Sequence, residues 1–270
     1  MYELPLSDDV YVTPQRCIGL ARRLAPSACF YPFFLWIIYK ASRLAKRGLF
    51  DNPTWARYAQ QVIMALEDVG IRFSIEGIDN LRQLTGPCVI VANHMSMMET
   101  IVAPGIILPF TPITFVVKRS LLRYPVFRHV LGACNPIAVT RTDPRQDLQS
   151  VLTQGPDRLS KGTSVMAFPQ TTRTTNFDLS SFNTIGIKLA RKAGVPVMPL
   201  ALRTDAWRNG RLIKDMGLLD VRRPVHMAFG RPIYVEGRGL DQHRQVIDFI
   251  QQRLTRWLGE GKVCLTEKAQ

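Results

Sequence analysis

The chain has no cysteine pattern able to staple a fold or hold a metal. Its five cysteines, Cys17, Cys29, Cys88, Cys134 and Cys264, are scattered and odd in number. They imply neither a disulfide framework nor a zinc site and fit a reducing compartment. Cys88 and Cys134 lie in or beside apolar runs and read as small core residues. Long hydrophobic runs are also missing. The richest, Cys29–Tyr39, has eleven residues, whereas a spanning helix needs about 20. A second uncharged stretch, Ile101–Val117, is interrupted by Pro104, Pro109 and Pro112, which excludes a spanning helix and predicts a helix end, a loop and a strand over Ile113–Val117. The first ten residues carry Glu3, Asp8 and Asp9 but no basic residue, the wrong start for a signal peptide. No internal repeat, low-complexity tract or linker divides the sequence.

Acidic residues are scarce: 21 Asp and Glu face 35 Lys and Arg, for a formal net charge of +14. Such a balance draws anionic partners, whether nucleic acid, an anionic membrane or an acidic carrier protein, and is also compatible with a merely basic soluble protein. Aromatic and basic residues are not interleaved as nucleic-acid binding requires, so no nucleic acid is expected. Around Cys29–Tyr39, Arg22 and Arg23 precede the aromatic run and Lys40, Arg43, Lys46 and Arg47 follow it. That arrangement suits an element lying in a membrane interface, apolar side down and cations near lipid phosphate. The other reading is a helix packed on the protein's own core.

What is present reads as an α/β protein. Asn52-Pro53 opens a helix, with Asn52 as cap, and Trp55, Tyr58, Val62, Leu66 and Val69 recur at helical spacing up to Gly70. Ile71–Glu76 alternates as a strand. Cys88–Ala92, Ser164–Phe168 and Val195–Leu202 are continuously apolar, as strands covered on both faces are. Helical patterns lie between them over Asp147–Leu159 and Thr184–Ala193, with a late strand at Val225–Gly230 and an amphipathic helix over Val246–Leu258. The order predicts a mostly parallel central sheet flanked by helices. Residues 1–50 form an N-terminal, membrane-facing helical arm and residues 51–270 a catalytic domain.

The chemistry centres on Val91-Ala-Asn-His-Met-Ser-Met-Met-Glu-Thr100, directly after a buried strand, where open α/β sheets gather reactive groups. With a helix starting at Ser96, Glu99 can turn back toward His94. A carboxylate on one imidazole nitrogen fixes the tautomer and supports the imidazolium that forms when the other nitrogen takes a proton. The same residues allow a plainer reading: Ser96-x-x-Glu99 is a capping box, with Glu99 on backbone rather than on His94.

Asn93, His94 and Ser96 match the first motif, Asn-His-x-Ser-x-x-Asp, of the glycerolipid acyltransferases, the family that includes lysophosphatidic acid acyltransferases; Glu99 stands where Asp is usual. Three later segments resemble that family's further blocks in order. Lys118 to Arg145 carries six cations against Asp143 and ends its block at Arg141. Phe168-Pro-Gln-Thr-Thr-Arg173 resembles Phe-Pro-Glu-Gly-Thr-Arg, with Gln170 for Glu and Thr171 for Gly. Val195-Pro-Val-Met-Pro199 resembles the apolar fourth block. The resemblance spans roughly residues 72 to 232.

The resemblance implies acyl transfer from a thioester, on coenzyme A or acyl carrier protein, with no cofactor and no metal. His94 and Glu99 are the implied catalytic residues. Asn93, Ser96, Lys118, Arg141, Gln170, Thr172 and Arg173 are the implied substrate-binding residues, Arg173 foremost for an acceptor phosphate. The expected acceptor is a lysophospholipid, most of all lysophosphatidic acid, giving phosphatidic acid. Gln170 and Thr171 keep open another lysophospholipid, glycerol 3-phosphate or a lyso-aminolipid. A non-catalytic lipid-binding protein and a thioester hydrolase are the readings of another class. The expected place is an anionic membrane surface on the cytoplasmic face, attached peripherally or monotopically rather than spanning.

Overall fold

The computed structural model describes residues 4–124, 127–170, 172–210 and 215–259. One sheet runs through it, built from β1 (Val10–Val12), β2 (Phe73–Glu76), β3 (Val89–Ala92), β4 (Ile113–Lys118), β5 (Ile137–Val139), β6 (Ser164–Ala167), β7 (Val197–Arg203) and β8 (Val225–Phe229), in the order β1-β2-β8-β7-β3-β6-β4-β5. The β1–β2 and β7–β8 pairings are antiparallel and the others parallel. The mostly parallel sheet expected from the apolar runs is therefore present. Each of the strands predicted from those runs falls within a few residues of its expected place.

The helices are α1 (Leu20–Leu24), α2 (Pro26–Lys46), α3 (Asn52–Asp68), α4 (Ile78–Arg82), α5 (Met98–Ile107), α6 (Phe127–Ala133), α7 (Pro144–Ser160), α8 (Ile185–Ala193) and α9 (Leu240–Leu258). They form layers on both faces of the sheet. Strand β3 shows why its four residues can all be apolar. Alternate side chains leave opposite faces of a strand. Ile90 and Ala92 join the core formed with α2, α3 and α5, while Val89 and Val91 join the one formed with α7, α8 and α9. Gly186 lets α8 approach closely: a Cβ there would stand 2.4 Å from Val91 Cγ2.

Two helix starts differ from the sequence expectation. Asp51, not Asn52, caps α3, its Oδ1 accepting from Thr54 N at 2.9 Å. The charged side chain one position earlier both reaches the third amide and opposes the positive end of the helix dipole. Helix α5 begins at Met98 rather than Ser96, because Ser96 turns its side chain onto the backbone of Met98 instead of entering the helix.

Within residues 1–50, read from sequence as a helical arm, Val10–Val12 instead form the antiparallel edge of the sheet. The apolar run Cys29–Tyr39 lies inside α2, whose 21 residues include Pro32 and the cations Lys40, Arg43 and Lys46. Among the described residues, no helix is long and apolar enough to cross a membrane. Helix α2 has two distinct faces. Phe30, Phe34, Ile37, Ile38 and Ala41 are buried in the main core. Phe33, Leu35, Trp36 and Tyr39 are about half exposed, at 49, 46, 51 and 49%. On that outer face Trp36 stacks with Tyr39, and Lys40 lies 5.0 Å over the Trp36 ring.

Of the cysteines, Cys88 is fully buried and Cys134 partly so, while Cys17 and Cys29 are exposed. Cys264 and Thr171 lie outside the described residues.

Candidate active site

Strand β3 delivers the loop Asn93–Met97 to the carboxyl end of the sheet, and α5 starts immediately after it. His94 is 5% exposed and Glu99 is fully buried. Their side chains meet: His94 Nδ1 is 2.9 Å from Glu99 Oε2. A carboxylate at Nδ1 places the proton on that nitrogen and leaves the lone pair on Nε2. The His94 ring stacks on Phe168, centroids 4.3 Å apart.

The half of the capping reading that puts Glu99 on backbone is also realised, although Met97 rather than Ser96 stands at the start of the helix. Glu99 Oε1 accepts from Met95 N at 2.7 Å and from Ser96 N at 2.9 Å, while Ser96 Oγ accepts from Met98 N at 3.1 Å. The two readings coexist because the carboxylate has two oxygens: the loop's amides hold Oε1, while Oε2 meets His94 and also accepts from Ser96 N at 3.1 Å. A buried carboxylate requires such donors.

The third motif grips the first from behind. His94 N donates to Gln170 Oε1 at 2.9 Å, and Thr174 N donates to the His94 carbonyl at 3.0 Å. Gln170 Nε2 is buried without a hydrogen-bond partner among the described residues.

A cavity of about 620 Å³ opens beside His94. That is the volume range of small-molecule sites. Much of its wall is apolar and comes from α2, α3, α6 and strand β4, with Ile37, Trp55, Val62, Phe115, Val130 and Leu131 among it. The polar part of the lining has Lys118, Arg141, Thr172, Arg173, Asn209 and Asp215. His94 sits on the same cavity.

Arg141 is delivered by an unusual backbone. It has φ 62°, a conformation costly for a residue with a Cβ. Asp147 holds it there, accepting from Thr140 N, Thr140 Oγ1 and Arg141 N at 2.6, 2.9 and 2.6 Å. Burial, and after it the charge of Arg173, pull the Arg141 guanidinium below the ordinary arginine range. Two cations held near one another gain from an anion between them. Arg173 is paired with Asp215.

The expected site residues thus divide. His94, Lys118, Arg141, Thr172 and Arg173 line one cavity, with Glu99 behind His94. Asn93, Ser96 and Gln170 do not line it. Asn93 is a splice to β7, its Nδ2 donating to the Leu202 carbonyl at 2.7 Å and its Oδ1 accepting from Leu202 N at 2.8 Å. Ser96 and Gln170 hold the loop that carries His94. The expected site residues left out Phe168, Thr204, Asn209, Asp215 and the apolar walls. Phe168 and Thr204 follow buried strands, the same signal that pointed to His94. Asn209 and Asp215 carry no such signal. Among the described residues no group of three or more His, Cys, Asp or Glu is placed to hold a metal ion.

Residues 72–203 match the family described as Acyltransferase. A 1-acyl-sn-glycerol-3-phosphate acyltransferase of Pseudomonas aeruginosa is 32% identical over 215 residues, 79% of this chain and 77% of that protein. A chloroplastic 1-acyl-sn-glycerol-3-phosphate acyltransferase of Brassica napus is 31% identical over 167 residues, 59% of this chain and 44% of that protein. Among solved structures, the 1-acyl-sn-glycerophosphate (LPA) acyltransferase PlsC from Thermotoga maritima superposes with a TM-score of 0.65 at 18% identity, covering 88% of this chain and 97% of that one. At that identity the likeness shows a shared fold.

Proposed function

This chain belongs to the acyltransferase family, and from that premise we propose that it transfers a fatty acyl group from a thioester to the free glycerol hydroxyl of lysophosphatidic acid. One observation carries the reading: a single cavity joins an apolar pocket to a cluster of cations, with His94 on its wall and Glu99 on the far nitrogen of that histidine.

Each part of the cavity suits one part of the reaction. The apolar wall accommodates an acyl chain. Lys118, Arg141 and Arg173 complement a phosphate. His94 Nε2 takes the hydroxyl proton as the oxygen attacks the thioester carbonyl. The tetrahedral intermediate collapses, the carbon–sulfur bond breaks, and the proton passes to the departing thiolate. Glu99 steadies the imidazolium in between. The donor is acyl-CoA or an acyl carrier protein, and no cofactor enters the scheme.

A second acceptor class has one observation in its favour. Asp215 places a carboxylate among the cations of the cavity, which suits a lysolipid bearing an amine beside its phosphate.

The outer face of α2, with its aromatics and cations, supports peripheral attachment to an anionic membrane surface. The cytoplasmic face is the side proposed, since five scattered cysteines suit a reducing compartment.

Purified protein with labelled acyl-CoA and a panel of acceptors tests the reading. The panel contains lysophosphatidic acid, lysophosphatidylethanolamine, glycerol 3-phosphate and monoacylglycerol. Lysophosphatidic acid is expected to be preferred, and His94→Ala to lose about 10²–10⁴-fold in turnover while lipid binding persists. A preference for monoacylglycerol would overturn the phosphate assignment. Unchanged turnover in His94→Ala would overturn the base, acid release without an acceptor would indicate a hydrolase, and no turnover on any acceptor a lipid-binding protein.

A further inference from the structure

The carboxylate that orients His94 is itself oriented by a residue outside all four motif segments. Thr204 follows the last residue of β7 and is fully buried. It also lies just beyond residues 72–203, which match the family. Its hydroxyl donates to Glu99 Oε1 at 2.6 Å, within the range of a hydroxyl bonded to a carboxylate. The same hydroxyl oxygen accepts from Ser96 Oγ at 3.0 Å.

The direction of this chain is fixed at the carboxylate, which accepts. Thr204 has one hydroxyl proton and gives it to Glu99 Oε1, so toward Ser96 it can only accept. Ser96 Oγ therefore donates to Thr204 while accepting from Met98 N at 3.1 Å.

The remaining donors to Glu99 Oε1 are amides of Met95 and Ser96. Both belong to the loop that carries His94, so they tie the carboxylate to that loop alone. Thr204 is different, because it ties the carboxylate to the neighbouring strand β7. Glutamate also has one more rotatable side-chain bond than the aspartate usual in the first motif. Holding Oε1 from β7 restricts that extra freedom and, together with the Ser96 amide that Oε2 accepts from at 3.1 Å, turns Oε2 toward His94 Nδ1.

We propose that Thr204 is a positioning residue for the His94–Glu99 pair, fixing the rotation of the longer carboxylate so that His94 Nε2 faces the acceptor hydroxyl. The proposal rests on the reading of His94 as the general base.

Steady-state kinetics of Thr204→Val, Thr204→Ser and Thr204→Ala with acyl-CoA and lysophosphatidic acid test it. Valine keeps the shape and removes the donor; serine keeps the donor. Thr204→Val is expected to lower kcat by about 10- to 100-fold, as small misplacements of a catalytic group do, with both KM values within about twofold. Thr204→Ser is expected to stay within about threefold of the parent kcat, since it retains the hydrogen bond. In a Glu99→Gln background, adding Thr204→Val should change kcat by less than about twofold, because residues acting through one another are not additive. Should the valine variant not fold, the contrast between alanine and serine carries the same test.

Three results would overturn the proposal: serine as impaired as valine, a rise in KM with kcat unchanged, or additive losses in the double variant. His94→Ala run in parallel separates the two readings. If it keeps full turnover, the base assignment fails. If it is inactive while Thr204→Val matches the parent, only the role of Thr204 fails.

Discussion

Gln170 Oε1 lies 2.9 Å from the backbone nitrogen of His94, so the loop after β6 fixes the height of the loop after β3. The contact needs only an acceptor, which glutamine and glutamate both supply. Gln170→Ala is expected to lower kcat by about 10- to 100-fold by loosening His94. Gln170→Glu should keep more of the activity than alanine does. Steady-state kinetics of the two variants check the order, and the reverse order would show that a buried charge at this position costs more than the lost acceptor.

Arg173 is paired with Asp215 in the wall of the cavity, and under the proposed function an acceptor phosphate would compete with that carboxylate. The two side chains are 20 and 17% exposed. Partly exposed pairs are worth up to about 1 kcal/mol, so Asp215→Asn should lower KM for lysophosphatidic acid by no more than about fivefold. Arg173→Ala removes a charge-assisted phosphate contact of about 1.5–3 kcal/mol and should lower kcat/KM by roughly 10- to 150-fold. Acceptor titrations at fixed acyl-CoA measure both. A rise in KM for Asp215→Asn would mean that Asp215 helps bind the acceptor.

The sequence exposed the sheet well because apolar runs such as Val89–Ala92 have few alternatives once both faces are covered. It exposed His94 and Glu99 as partners, yet could not separate pairing from capping, since one spacing serves both. The structure shows that it need not choose. Asn93 was less legible: a polar residue beside His94 looks like a ligand for substrate, but its amide matches the backbone of Leu202 in both directions. That partner is 109 residues away, and no local pattern announces it. Asp51 displaced Asn52 as a cap for a local reason, the reach of a carboxylate to the third amide. The apolar half of the cavity was not legible, because its walls come from α2, α3, α6 and β4 and look like ordinary core in each segment alone.

The outer face of α2 is the surface proposed to meet lipid. Trp36→Ser with Tyr39→Ser should reduce co-sedimentation with anionic liposomes by about tenfold or more, given about 25 cal/mol for each Å² of apolar surface removed from water. Raising salt should weaken binding of the parent further, since Lys40 and Arg43 act through screened charge. Equal sedimentation of variant and parent would show that this face does not touch the membrane.

Two histidines far from the cavity set an acid limit. Burial, and after it the charge of Arg203, hold His226 below the ordinary histidine value of 6.5. Burial does the same to His243, although a bond to the Phe182 backbone opposes it. The unfolded chain then binds protons that the folded chain does not, so stability is full above about pH 6.5 and falls as pH drops below it. The slope should reach at most about 1.4 kcal/mol per pH unit for each histidine. His226→Phe and His243→Phe keep the stacking on Trp257 and Phe182 and should flatten the loss. Urea melts between pH 7.5 and 5 would show it, and an unchanged slope in both variants would place the acid sensitivity elsewhere.

Phe30 and Phe34 of α2 each pack edge-on against Trp207, with ring centroids 5.2 Å apart. Ser27 Oγ accepts from Leu219 N, and Tyr31 donates to the Gly217 carbonyl. These contacts bind the helix to the stretch that also carries Asp215. Losing one buried phenylalanine costs about 3–5 kcal/mol, against a total stability of about 5–15 kcal/mol for a typical protein. The helix is therefore expected to melt with the sheet as one cooperative unit. Cutting it away would remove Ile37, Ile38 and Ala41 from the wall of the cavity rather than detach a tether. A truncated chain that failed to bind vesicles would report unfolding, and only substitutions on the solvent side of α2 can weigh lipid contact by itself.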